Sequence, residues 1–233
     1  MIHRIRNSQV IATKKGNHLR MIAITVSTNY SDVLPIVYNY NKGFFKHWVF
    51  VTAKDDDATI CFLSDKPNVT ILYWDFQNHR RLFDKGGAIC HAQSYVYEKF
   101  PDDWYLLIDS DICLTPLFNK FIEDGLKTLD EGLVYGLNDR FDYSSYDDFL
   151  LGRNQVCYTG HSKHLYVAGY FQLYKKKYYY SSSRSASSCD IEFTLYFKKG
   201  VLINGLSCAH LGQKSNWDGN RILGSDFIVD KKP

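Results

Sequence analysis

The sequence predicts an α/β fold, a mainly parallel mixed sheet flanked by helices. Three observations predict it. Short apolar runs such as "MIAITV" and "WYLLI" are too continuous to face water on either side, so they read as strands buried on both faces. Segments with apolar residues recurring at three and four, the helical period, lie between them. Polar groups gather just after the runs, in "STNY", "KDDD" and "DSD", and open sheets of this kind bind ligands beyond the C-terminal ends of their strands.

Residues 1–20 are basic and aperiodic and read as an arm or extension, which leaves residues 21–233 as a single domain. "MIAITVST" (21–28) is the first strand. A helix is expected from Ser31, a good capping residue, through Tyr40, with Pro35 near its first turn. "HWVFVTA" is the second strand and empties into Asp55, Asp56 and Asp57; "VTILYW" is the third. The polar "DFQNHRRLFDKGG" leads into a helix, "AICHAQSYVYEKF". "WYLLID" is the fourth strand, and "GLVYGL" and "LYVAGYFQLY" are two more. "KKKYYYSSSRSASS" (175–188) reads as a mobile loop with little to pack.

Composition narrows the function classes. With 45% hydrophobic and 23% charged residues the chain belongs with soluble globular proteins, and a formal charge of +3 is too mild to argue for nucleic acid. Aromatic residues reach 16%, with 18 tyrosines, which suits surfaces that bind sugars or bases. The six cysteines are scattered without a CxxC pair and read as reduced core residues. No apolar run is long enough to span a bilayer, and the basic N-terminus lacks the core of a secretory signal, so a cytoplasmic protein is expected.

Four constellations carry chemistry. In an extended chain Asp109 and Asp111 project the same way, and two carboxylates at the end of an apolar run are most simply reconciled by a hard cation such as Mn²⁺ or Mg²⁺. The bare alternative is a capping aspartate beside a solvated one. His210, in "CAHLGQKSNWDGN", follows the apolar "GVLING", with Gly212, Lys214 and Trp217 behind it, and imidazole is a frequent partner of such ions. Lys85 precedes two glycines at a helix start, where backbone amides suit an anion or simply form a loop-to-helix junction. Asp190, in "SSCDIEF", is either an N-cap or a catalytic carboxylate.

Taken in order, "STNY", "KDDD", "KGGA", "DSD", "GYFQLY", "CDIE" and "HLG" resemble a GT-A fold, Rossmann-like glycosyltransferase using a nucleotide-diphosphate sugar, over roughly residues 21–220. More narrowly, the chain resembles the N-terminal glycosyltransferase domain of the multidomain enzymes with which chlorella viruses build capsid glycans. The resemblance implies a UDP-sugar donor of glucose or rhamnose type, a capsid glycoprotein glycan as acceptor, Mn²⁺ or Mg²⁺, further catalytic domains C-terminal to this one, and action in the host cytoplasm. It implies that Thr28, Asn29 and Tyr30 line the nucleoside pocket and that one of Asp55, Asp56 and Asp57 contacts uracil or ribose. Lys85 contacts the donor, Asp109 reaches the ribose or the metal, and Asp111 and His210 bind the metal. Lys214 steadies the diphosphate, Trp217 lies near the donor, and Asp190 faces the anomeric carbon. The chain departs from the glycogenin-like H-x-x-G-x-x-K-P-W pattern, with "HLGQKSNW" in its place, so the inverting and retaining courses both stay open.

Other readings use the same residues. A haloacid-dehalogenase-type phosphatase also carries D-x-D after an apolar strand, but on its first strand and with Thr or Val where this chain has Cys113. A metal-dependent phosphohydrolase or nucleotidyltransferase would share the acidic cluster, and a binding protein without catalysis would use the aromatics alone.

Overall fold

The computed structural model describes residues 21–76, 83–159, 167–182 and 186–212. Among these, nine strands form one mixed sheet. Strand β1 (Met21–Val26) lies between β2 (Phe45–Thr52) and β4 (Tyr105–Ile108), with β3 (Val69–Tyr73) outside β2, and all three contacts are parallel. From β4 onward the sheet changes character. β8 (Phe171–Tyr174) joins β4 antiparallel, then β6 (Val134–Tyr143), β9 (Gly200–Leu211) and β5 (Ile112–Leu114) follow, and β7 (Val156–Thr159) pairs with β6. The expected α/β sheet is therefore present, with its parallel half built from the N-terminal strands.

Strand alternation explains why both faces are covered. Ala23, Trp48, Phe50, Leu106 and Ile108 point to one core, beneath helix α1 (Leu34–Asn41). Ile22, Ile24, Val49, Val51, Tyr105 and Leu107 point to the other, packed by Ala88, Ala92 and Val96 of α3 (Lys85–Lys99) and Phe193 of α6 (Ala186–Thr194). Helix α1 starts at Leu34, not Ser31; its N-cap position is Val33, and Pro35 fits the first turn, where no backbone N–H is required. Two short helices complete the site side: α2 (Asp57–Leu63), behind the second strand, and α5 (Tyr146–Leu151), after β6. The short turn of helix Leu117–Lys120 (α4) follows β5.

Three sequence expectations are corrected. The chain is not extended through Asp109 and Asp111 in "WYLLIDSDICL". That stretch is β4, a turn at 109–111 closed by Ile112 N–H donating to Asp109 O at 3.3 Å, and β5, so the two aspartates leave the backbone on either side of a turn. The segment 175–182 is anchored where it is described, because its polar composition conceals one buried aromatic: Tyr180 is 2% exposed, and beside it Tyr97 Oη donates to Tyr178 O at 2.6 Å, while Tyr179 stands exposed. Not every cysteine is a core residue. Cys113, Cys189 and Cys208 are buried, whereas Cys61, on α2, and Cys157, on β7, are exposed.

Candidate functional site

The sheet places the loop after β1 and the turn after β4 side by side, since Ile24 pairs with Leu107. Asn29 takes a left-handed backbone, φ 62°, and its N–H donates to Asp56 Oδ2 at 2.9 Å. Asp56 also caps α2 through Thr59 N–H at 3.2 Å. The middle aspartate of "KDDD" is thus spent on holding the Thr28–Tyr30 loop, while Asp55 and Asp57 stand exposed. Ser27 Oγ and Thr28 Oγ1 are buried hydroxyls without a hydrogen-bond partner among the described residues, at the strand end where a ligand is expected.

Lys85 is the first residue of α3. The helix it opens is capped by the Asp84 carboxylate, which accepts from Gly87 N–H at 2.9 Å, from Ser182 Oγ at 2.9 Å and from Trp74 Nε1 at 3.3 Å. Of the two readings of this junction, an anion site or a loop-to-helix start, the cap fits the second, and the Lys85 side chain carries the positive charge there. Its Nζ donates to Asp109 Oδ1 at 2.9 Å and stands 3.9 Å from Asp190 Oδ2. Burial pulls the Lys85 ammonium toward losing its proton, and the two carboxylates outweigh that and hold it well above its usual range. Asp109 is raised, first by desolvation and then by Asp111 and Asp190, with Lys85 opposing. Its side chain keeps 37% of its surface, so solvent and ligands still reach it.

Asp111 faces a different partner. Its Oδ2 lies 3.2 Å from His210 Nε2, and Leu211 N–H donates to its carbonyl at 2.8 Å. Strand β9 brings His210 opposite Ile112 on one side and Asp142 of β6 on the other. His210 Nδ1 is 3.1 Å from Asp142 Oδ1, a charge contact whose angle is poor for a hydrogen bond. Arg140 grips Asp142 with Nε at 2.8 Å and Nη2 at 3.2 Å, and its guanidinium lies over the Tyr170 ring at 5.0 Å. Burial alone would lower the His210 pKa; the Asp111 and Asp142 carboxylates reverse this and push it up to about 10.

Asp190 lies within α6, not at its N-cap, because the helix begins at Ala186. Its carboxylate therefore has no capping duty and turns inward toward Lys85. The structure brings Lys85, Asp109, Asp111, Asp190 and His210 into one region and sets Thr28–Tyr30 on the same edge of the sheet. Lys214 and Trp217 fall outside the described residues, as does the arm at 1–20. Sequence reasoning missed Asp142 and Arg140, although the alternation in "NDRFDY" (138–143) signals that "GLVYGL" continues as strand, with Arg140 and Asp142 on one face. It also missed Asp84, whose place three residues before Gly87 is an N-cap signature.

The cluster holds four carboxylates, Asp109, Asp111, Asp142 and Asp190, against Lys85, Arg140 and the His210 ring, which Asp111 and Asp142 hold protonated. Loss of the His210 proton leaves an excess of negative charge that a cation would offset. Among the described residues no three His, Cys, Asp or Glu side chains converge as a ready metal cage. Asp111 and His210 supply two donors of the right chemistry, which fits an ion of Mg²⁺ or Mn²⁺ type that draws its other ligands from substrate phosphate and water.

No protein-family model and no curated protein matches the chain. Some solved structures are similar to it in part. A 4-diphosphocytidyl-2C-methyl-D-erythritol synthase is similar with TM-score 0.44 and 13% identity, covering 80% of this chain and 89% of that one. A protein of Desulfovibrio desulfuricans G20 named for nucleotide-diphospho-sugar transfer gives 0.42 and 11%, covering 81% and 79%. One of Bacillus anthracis named for glucose-1-phosphate thymidylyltransferase activity gives 0.40 and 15%, covering 66% and 71%. The functional reading rests on the side chains at the strand ends.

Proposed function

We propose that the chain is a metal-dependent glycosyltransferase that moves a hexose or deoxyhexose from a UDP-sugar to a glycan acceptor in the cytoplasm. The observation that carries the reading is the convergence of Lys85, Asp109, Asp111, Asp190 and His210 at the ends of β4 and β9. Thr28, Asn29 and Tyr30 line the nucleoside pocket, where the buried hydroxyl of Thr28, without a partner among the described residues, supports a polar ligand, and the exposed Asp55 or Asp57 reaches the base or ribose. Asp109 binds the ribose or the metal, and Lys85, drawn toward the donor, holds its phosphates as a fixed cation.

Asp111 and His210 hold Mn²⁺ or Mg²⁺, with Lys214 and Trp217 assigned to the diphosphate and donor from the sequence. When bound, the ion supplies Lewis-acid stabilisation of charge on the departing diphosphate. Asp190 faces the sugar, where it takes the proton of the acceptor hydroxyl in an inverting course or supports an oxocarbenium-like state in a retaining one. An acceptor on a viral capsid glycoprotein and catalytic domains beyond this one complete the proposal.

Asp111→Ala tests it. Metal-dependent release of UDP from a UDP-sugar should disappear, with the fold retained by circular dichroism. Full turnover by the variant with Mn²⁺ contradicts the assignment of Asp111, and release of pyrophosphate from UTP plus a sugar 1-phosphate, with no UDP released from UDP-sugars, would make the chain a nucleotidyltransferase.

A further inference from the structure

We infer that Tyr180 is a positioning residue for Asp190, its phenol oxygen fixing the carboxylate that faces the sugar; the inference rests on the role proposed for Asp190. Asp190 projects from α6, and a carboxylate on a single helix keeps rotamer freedom unless its oxygens are claimed. Here both are constrained. Tyr180 Oη lies 3.1 Å from Asp190 Oδ1, and Lys85 Nζ lies 3.9 Å from Oδ2. On the remaining side the chain passes so close at Gly169 that a methyl group built there would sit 1.8 Å from Oδ2, so the carboxylate occupies space that any other residue would fill.

The phenol is itself held in place. Gln172 Nε2 donates to Val167 O at 2.9 Å and Asp190 O at 3.2 Å, which turns Gln172 Oε1 to Tyr180 Oη in a short contact. The one phenolic proton thus lies between Gln172 Oε1, the nearer acceptor, and Asp190 Oδ1, a carboxylate oxygen. Burial and the neighbouring Asp190 push the phenol's pKa well above its ordinary value, so it remains a donor. The backbone carrying it is fastened to α3: Tyr180 N–H donates to Gln93 Oε1 at 2.7 Å, and Ser182 Oγ to Asp84 at 2.9 Å. Lys85 opens that same helix, so one element sets both the cation and the strap that aims Asp190.

The test compares Tyr180→Phe with Tyr97→Phe, which loosens the same strap at Tyr178 O but leaves the contact to Asp190. Activity is read as UDP release from UDP-glucose and UDP-rhamnose with Mn²⁺. Tyr180→Phe should lower kcat about tenfold or more with the donor KM changed less than about twofold, while Tyr97→Phe keeps kcat within about twofold. Unchanged kcat in Tyr180→Phe, or an equal loss in Tyr97→Phe, overturns the inference while leaving the proposed activity intact. Should Tyr180→Phe fail to fold, Gly169→Ala takes its place: a kcat loss at constant donor KM supports the inference, and wild-type kcat overturns it. A wild-type protein inactive on both donors refutes the proposed activity, and the positioning role falls with it.

Discussion

Raising the pH should strip a proton that the fold holds between two carboxylates. The imidazolium of His210 is pushed up to about 10 from an ordinary 6.5, with burial opposing and Asp111 and Asp142 prevailing. Its side chain is 12% exposed and that of Asp142 3%, so solvent screens the charges little. At roughly 1.4 kcal/mol per tenfold change in proton affinity, the group contributes on the order of 5 kcal/mol. Because the folded pKa lies above the unfolded one, this stability is fully present below about pH 6.5 and is lost as pH rises through about 10. The assay is urea unfolding of wild type and His210→Gln in chelator-treated buffer from about pH 6 to about pH 11, with the His210 ring followed by NMR. Comparison with the variant cancels the lysines and tyrosines that titrate in the same range. Wild type should lose stability toward high pH more steeply than the variant. Parallel curves, or a ring that titrates near 6.5, would refute the reasoning.

Two further outcomes follow from the same geometry. Asp142→Asn keeps the shape but removes the charge behind His210, so it should weaken Mn²⁺ binding about 10- to 100-fold by calorimetry and lower the pH at which the ring titrates. Asn41 is fully buried, its Nδ2 donating to Ile112 O at 2.7 Å and its Oδ1 accepting from Leu114 N–H at 2.8 Å, so Asn41→Ala should cost about 2–4 kcal/mol in denaturant unfolding by orphaning both groups of β5.

The first four strands and α3 were legible because their signals are local: continuous apolar runs, and a helix with apolar residues at three and four. The polar groups after those strands were legible for the same reason, as loop residues at predictable strand ends. What escaped was non-local. Nothing in "DSD" tells that a turn separates its carboxylates and sends Asp109 to Lys85 and Asp111 to His210; β9, nearly a hundred residues later, decides that. Arg140 and Asp142 escaped because a polar alternating strand reads as loop until its partner strands are known. The strap at 175–182 escaped because lysines and serines dominate its composition, while its anchors, the buried Tyr180 and the bonds at Tyr178 O and Ser182, are made to residues far away in the sequence.

The site also explains why a cation and a proton should compete. His210 presents Nε2 to Asp111 at 3.2 Å, and an ion taking that position must displace the proton the two share. Apparent Mn²⁺ affinity should therefore rise toward about tenfold per pH unit below about pH 10, as measured by calorimetry in buffers of differing ionisation heat.

The central claim is that the cluster at the ends of β4 and β9 works on a sugar nucleotide. Its most direct test incubates the wild-type protein with a panel of UDP-sugars, with and without Mn²⁺, and follows UDP release together with the fate of the sugar. The account predicts metal-dependent release of UDP, with the sugar transferred whole. Binding of the nucleotides without turnover, unaffected by chelator, would contradict it.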